Sequence, residues 1–220
     1  MRSYSNLSLR DLLDAFASTA PAPGGGSAAA LAGAIGVSLL VMALGIRTAR
    51  PMESGESREL ADAADRLRSL RPTIAALIDR DSEAYAAVIA ALRMPAGDDN
   101  STARRRAAYE SALRGATDVP LETMRACRRA LREAPVVAAH GISRTHGDIG
   151  VAIELLRAAV RSAGLTIDAN VASLGDTDYA REVRAERERL DTESTADAEY
   201  GLSQLSGKVR LKPDTTERSG

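Results

Sequence analysis

Apolar residues along this chain recur every three to four positions over long stretches, and the breaks between those stretches hold proline, glycine and small polar residues. That spacing is the pattern of amphipathic helix. Ser8 is placed to cap a first helix over residues 9–18, whose Leu9, Leu12, Leu13 and Phe16 share a face. Ala20 to Gly26 contains two prolines and three glycines and cannot continue that helix. Ser27 is then expected to cap a second helix that runs to about residue 49 and stops before Pro51. A third helical region spans 57–92, with Leu60, Ala64, Leu67, Ile74, Ile78, Tyr85, Val88 and Leu92 on one stripe, and Pro72 is expected to kink or split it. Pro95, Gly97 and residues 98–101 read as a turn, with Ser101 capping a helix over 102–133 in which Pro120 marks a kink or a restart. Pro135 to Thr145 reads as a loop, 148–174 as a helix weakened by Gly164, and 176–204 as a very polar helix. No stretch alternates in the manner of a strand. The expected architecture is therefore all-α: an up-and-down antiparallel helical bundle of long, partly kinked helices, one domain over 1–205, with a polar tail over 206–220 that has nothing to bury and is expected to be disordered.

Composition sharpens this picture. Aromatic residues are only 3%, there is no Trp, and Phe16 is the one Phe, so alanine and leucine must fill the core, and both favour helix. Charges cancel to a formal net −1, which gives no general attraction to nucleic acid or to anionic membrane. Cys127 is the single cysteine, which forbids an intramolecular disulfide, and its place in a helical run reads as a small buried hydrophobe. The N-terminus has no apolar run long enough for a signal peptide, so a cytoplasmic protein is expected. Ser27 to Ile46 carries no charge and has the length of a membrane span. Its many alanines and glycines make it weakly hydrophobic, and it is expected to be the central helix of the bundle rather than a membrane segment.

Three places can carry chemistry. Gly24, Gly25 and Gly26 leave backbone N–H groups unobstructed just before a helix N-terminus, where an anion or a carbonyl oxygen can sit. No strand precedes them and no Lys-Ser/Thr pair follows, so they are neither a P-loop nor a dinucleotide fingerprint. Asp81 falls on the apolar stripe of its helix beside Leu77, Ile78, Tyr85 and Val88. A carboxylate there is either held for proton transfer, or is a buried ion pair or a cap to another helix. Asp79 points off that stripe and is expected to be solvated. The turn from His140 to Gly150 holds both histidines, with Ser143, Arg144 and Asp148. Two histidines and an aspartate fall short of the ligand set and spacing of a zinc site, so no metal is expected. Asp148 suits helix capping, and His146 beside it suits acid or base work near neutral pH.

Taken together, the stretch from Ser8 through the glycine loop to Ile46 resembles the start of the cyclodeaminase domain of the formiminotransferase-cyclodeaminase family and its stand-alone cyclodeaminase/cyclohydrolase relatives. Asp81 to Tyr85 followed by Ala91 to Pro95, the Val119-Pro120-Leu121 step, Gly147-Asp148 and Asn170-Val171 are similar to that family's later motifs. The resemblance covers about residues 6–190. It implies a homodimeric helical enzyme acting on a one-carbon tetrahydrofolate, with no metal or redox cofactor beyond the folate that is its substrate. The implied reaction is cyclisation of 5-formiminotetrahydrofolate to 5,10-methenyltetrahydrofolate with loss of ammonia, and the alternative is cyclohydrolase action at the same site. A helical folate-binding or assembly module without catalysis is the reading from another class. Asp81 matches the family's catalytic aspartate. Pro23, Gly24, Gly25, Gly26, Ser27, Tyr85, Arg144, His146, Asp148 and Asn170 are the substrate-binding residues the resemblance implies, Arg144 for the glutamate end of folate. The chain departs from the family's pattern at Ile142, Gly147, Ala172 and Ser173.

Overall fold

The computed structural model describes residues 3–49, 54–175 and 177–206, and among them there is helix and no strand. The helices are α1 Leu9–Ala17, α2 Gly25–Thr48, α3 Ser54–Leu92, α4 Asp99–Leu131, α5 Ala134–His140, α6 His146–Leu174 and α7 Asp178–Ser206, with one 3₁₀ turn at Ser143–Thr145. The expected stop at Pro51 and all of the polar tail beyond Ser206 lie outside the described residues.

Consecutive long helices run antiparallel, as Arg80 of α3 against Glu122 of α4, and Arg66 of α3 against Glu133 just past the end of α4, show. α2 lies along α3, α4 and α6 and forms the centre with them. Its small residues make that possible. A Cβ on Gly33 would stand 2.5 Å from Cys127 Sγ and 3.2 Å from Ile74, and one on Gly36 would stand 2.8 Å from Leu156 and 2.9 Å from the Ala152 carbonyl. α2 is long and apolar enough to cross a membrane by length and composition, yet 44% of its most apolar window is buried in the bundle. Its remaining face is open.

Four local expectations change. α3 and α4 run unbroken through Pro72 and Pro120. Pro72 lies on an exposed face, where the carbonyl it deprives of a donor can be hydrated; Pro120 is buried and needs another solution, described below. Second, α4 starts before Ser101: Asp98 is its cap, accepting from the Ser101 N–H at 2.7 Å, while Ser101 Oγ accepts from the Asp98 N–H at 3.0 Å. Third, the segment 135–145 is not all loop. Pro135 sits in the first turn of α5, where a missing N–H costs nothing, and Ala134, Val137 and Ala138 are buried. Fourth, the apolar stripe of α1 does not reach the core: Leu12 is buried, but Leu9 and Leu13 are exposed.

The polar α7 buries Ala180, Val183, Leu190 and Ala198 in the core and is flanked by ion pairs. Arg125 meets Glu186 at 2.6 Å, Arg128 meets Glu193 at 3.0 Å and Arg187 meets Asp168 at 3.0 Å. Gly164, which costs helix propensity, is where the Arg187 guanidinium lies across α6, 3.1 Å from any Cβ placed there.

Crowding at the two central glycines has different remedies. Gly33→Ala is expected to cost about 1–3 kcal/mol in thermal or denaturant unfolding, and Cys127→Ala in the same chain to recover most of it. Gly36→Ala is expected to cost a similar amount that Leu156→Ala does not recover, because the Ala152 backbone carbonyl stays in the way.

Candidate active site

α2 begins without a cap of its own. Gly24 is its N-cap residue, extended in backbone and lacking a side chain to accept from the first turn. The leading N–H groups of a helix have no acceptor within it. Here the acceptor comes from α3. Asp81 lies against the N-terminus of α2, so close that a Cβ on Gly26 would stand 2.0 Å from its Oδ1. The Ser27 N–H bonds to Asp81, and Ser27 Oγ lies 2.9 Å from Asp81 Oδ2, 2.9 Å from the Ile78 carbonyl and 3.0 Å from Ser82 Oγ. Ser27 is therefore not the cap expected of it. It stands at the third helical position, with its hydroxyl turned across to α3.

Asp81 is 9% exposed. Burial pushes its carboxyl up, the Ser27 hydroxyl and N–H pull it back, and the balance is above the ordinary aspartate value. Such a group can take a proton and return it. Of the readings left open by the sequence, the geometry joins two: Asp81 caps another helix and also faces a cleft.

That cleft is about 260 Å³ and is lined by Pro21, Ala22, Gly24, Gly25, Gly26, Asp81, Tyr85, Ala116, Thr166 and Asn170. Tyr85 is 40% exposed at its mouth. Pro23 does not line the cleft; it is buried behind the loop, after a cis Ala22–Pro23 peptide. Thr166 was not anticipated, although it precedes Asn170 by one helical turn and so shares its face.

Asn170 resolves the buried proline. An interior proline leaves the carbonyl four residues earlier without its donor. For Pro120 that carbonyl belongs to Ala116, and Asn170 Nδ2 donates to it at 2.9 Å. The Val-Pro-Leu step in α4 and the Asn-Val step in α6 thus form one device that fixes the cleft's α4 and α6 walls. Asn170 keeps its Oδ1 as acceptor.

Arg144, His146 and Asp148 are not in this cleft. They stand at the opposite end of α6, and the 22 residues from Asp148 to Asn170 span about 33 Å of helix. His146 Nε2 lies 3.2 Å from the Gly141 carbonyl, and Arg144 is exposed with no ion pair among the described residues. His140 is placed between Glu56 at 3.1 Å and Glu59 at 3.3 Å, joining α5 to the start of α3. Asp79 points off the apolar stripe as expected, but it is half-buried and bonded rather than free in solvent. It accepts from Ser3 Oγ at 2.9 Å, Ser5 Oγ at 2.6 Å and the N–H groups of Tyr4 and Ser5, tying the N-terminal segment to α3. Burial pushes its carboxyl up, but these bonds outweigh it and hold the group below the ordinary value. Cys127 is buried, with its thiol pushed up to about 12, which leaves no thiolate nucleophile.

A family model described as formiminotransferase-cyclodeaminase matches residues 8–189. A methenyltetrahydrofolate cyclohydrolase of Methylorubrum extorquens is 35% identical over 204 residues, which cover 93% of this chain and 98% of that protein. A formimidoyltransferase-cyclodeaminase of Sus scrofa is 30% identical over 209 residues, covering 91% of this chain and 37% of that longer protein. A formiminotetrahydrofolate cyclodeaminase of Thermotoga maritima shares the fold with a TM-score of 0.81 at 20% identity, over 92% of this chain and 97% of that one.

Two measurements probe the cleft walls. Asn170→Ala is expected to lower stability by about 1–3 kcal/mol, the cost of an unsatisfied buried carbonyl. Pro120→Ala should restore the missing N–H, so the double variant loses much less than the single; equal losses would refute the pairing. Asp81, with its folded-state value raised, contributes stability that is complete below the ordinary aspartate value and is lost as pH rises through the raised one. Asp81→Asn is accordingly expected to melt above wild type at pH 7, with the gain vanishing toward about pH 3.

Proposed function

This chain belongs to the formiminotransferase-cyclodeaminase family and is an enzyme of one-carbon tetrahydrofolates, and on that premise we propose that its cleft closes 5-formiminotetrahydrofolate to 5,10-methenyltetrahydrofolate with release of ammonia. The observation that carries this reading is the raised, buried carboxyl of Asp81 facing a cleft roofed by a glycine-lined helix N-terminus. The folate amine at position 10 must lose a proton as it attacks the formimino carbon, and the departing nitrogen must gain one. Asp81 takes the first proton and delivers it to the second site, so one carboxyl serves both steps. The partial positive end of α2 stabilises Asp81 as the carboxylate, before it takes the first proton and again after it has delivered that proton to the departing nitrogen. Ser27 holds the carboxyl in place through its hydroxyl and N–H.

A second reading is hydrolysis of 5,10-methenyltetrahydrofolate, with water as the nucleophile and Asp81 as its base. One observation favours it: the Methylorubrum extorquens relative, matched over nearly its whole length, is a methenyltetrahydrofolate cyclohydrolase. Both reactions pass through the same carbon bridge and need the same positioned carboxyl.

Absorbance in the methenyltetrahydrofolate band separates them. An enzyme-dependent rise with 5-formiminotetrahydrofolate is expected for cyclodeamination, and a fall with 5,10-methenyltetrahydrofolate for cyclohydrolysis. In either case Asp81→Asn is expected to cut kcat by about 10²–10⁴-fold while circular dichroism stays unchanged. Undiminished turnover in that variant would remove Asp81 from the mechanism.

A further inference from the structure

We propose that Ser82 is a positioning residue for the proton transfer: it donates to the Ser27 hydroxyl, whose own proton then turns between Asp81 and the Ile78 carbonyl as Asp81 loses and gains the substrate's proton. This rests on the reading that Asp81 is the group that takes that proton and returns it.

Ser82 follows Asp81 directly in α3 and is buried, as is Ser27. Adjacent residues of a helix do not face each other, so the two side chains cannot serve one another directly. Ser27, arriving from α2, lies between them. Its Oγ is 2.9 Å from Asp81 Oδ2, 2.9 Å from the Ile78 carbonyl and 3.0 Å from Ser82 Oγ. A hydroxyl has one proton to give and two lone pairs with which to receive. A carboxylate and a carbonyl only accept, so while Asp81 is ionised Ser82 alone of the three can give a proton to Ser27. The other acceptor open to Ser82 is the Ile78 carbonyl at 3.5 Å, and the shorter path to Ser27 makes the better bond.

The direction of the chain follows. Ser82 gives its proton to Ser27 Oγ, and the Ser27 hydroxyl points onward to the stronger of its two acceptors. The Asp81 carboxylate is charged and takes it. Once Asp81 has accepted the proton of the folate amine, its oxygens are weaker acceptors, and the Ser27 hydroxyl turns to the Ile78 carbonyl at an equal distance. When Asp81 passes its proton to the departing nitrogen, the hydroxyl turns back. No buried donor is stranded in either state, and no heavy atom has to move. A hydroxyl that receives a hydrogen bond is a stronger donor. Ser82 therefore strengthens the bond from Ser27 to Asp81 in the ionised state, which opposes the effect of burial on the carboxyl. No residue that lines the cleft from the glycine loop, α2, α4 or α6 is charged, and Tyr85, one turn further along α3, is the only other titratable one. A change at Ser82 is thus read directly in the titration of Asp81.

The carboxyl carbon of Asp81, followed by NMR through a pH titration of the free protein, tests this without any turnover. Ser27→Ala is expected to raise the Asp81 midpoint by about one to two pH units, the worth of a charge-assisted bond. Ser82→Ala is expected to raise it by about 0.2–0.6 unit, the share of that bond lost with the polarising donor. The acid limb of kcat/KM should move up by the same amount, because the carboxylate is the form that takes the first proton. In a Ser27→Ala background, Ser82→Ala should add less than about 0.1 unit, since its effect passes through the missing hydroxyl. Ser82→Cys keeps a weak donor and is expected to fall between wild type and Ser82→Ala; it carries the test if circular dichroism shows Ser82→Ala to be unfolded. A midpoint in Ser82→Ala or Ser82→Cys at or below that of wild type would overturn the inference, and so would a Ser82→Ala shift as large without the Ser27 hydroxyl as with it. If the midpoints move as expected but Asp81→Asn turns folate over undiminished, the proton-transfer reading falls instead, and the hydrogen-bonded chain stands as a property of the fold.

Discussion

One helix in this fold is capped by the side chain of another. The N-terminus of α2 has no acceptor of its own, and the carboxyl of Asp81 from α3 supplies it through the Ser27 N–H and hydroxyl. Other features follow from that contact. The approach leaves no room for a Cβ at Gly26, and the Ser27 hydroxyl must point across the helix pair rather than back along its own chain. The same contact ties α2 to α3 and prepares a proton-transfer group. Burial raises the carboxyl, while two hydrogen bonds and the helix dipole keep it from rising without limit. A cap on the surface would stabilise the helix without tuning an acid; a buried carboxyl without the helix end would be too costly to keep.

The opposite wall of the cleft depends on a second compensation. Pro120 leaves a buried carbonyl at Ala116 without a donor, and the Asn170 amide fills the gap. Two residues that look unfavourable in isolation, a proline inside α4 and an amide on a half-buried face of α6, satisfy each other. Because both walls are helices rather than loops, the distance from Asp81 to Asn170 is set by packed backbone, which is what a site of fixed geometry needs.

α2 also explains why the bundle has an open apolar side. A helix that is hydrophobic all round belongs in an interior. Here one face meets α3, α4 and α6, where Gly33 and Gly36 allow near contact of backbones, and the other face meets no helix among the described residues. α7 takes the contrary route, joining the bundle through a narrow apolar stripe that includes Ala180, Val183, Leu190 and Ala198, flanked by arginine–carboxylate pairs, so its charged sequence remains compatible with a packed position.

Periodicity alone determined the all-α class, the long helices and most of their limits, because a three-to-four-residue repeat is a local property of the chain. It also placed Asp81 on the core side of α3, since a helical wheel needs only spacing. The glycine loop was visible as excess glycine beyond the needs of a turn. Other features were not legible. The sequence offered Ser27 as a cap and proline as a break, but the true cap lies 54 residues away and the missing donor for Ala116 comes from Asn170, also 54 residues away. Thr166 carried no signal beyond sharing a helix face with Asn170. Arg144, His146 and Asp148 read as companions of the glycine loop, and the length of α6 sets them apart from it within one chain. Local spacing decides which face a side chain takes; only the packing of distant helices decides what that face meets.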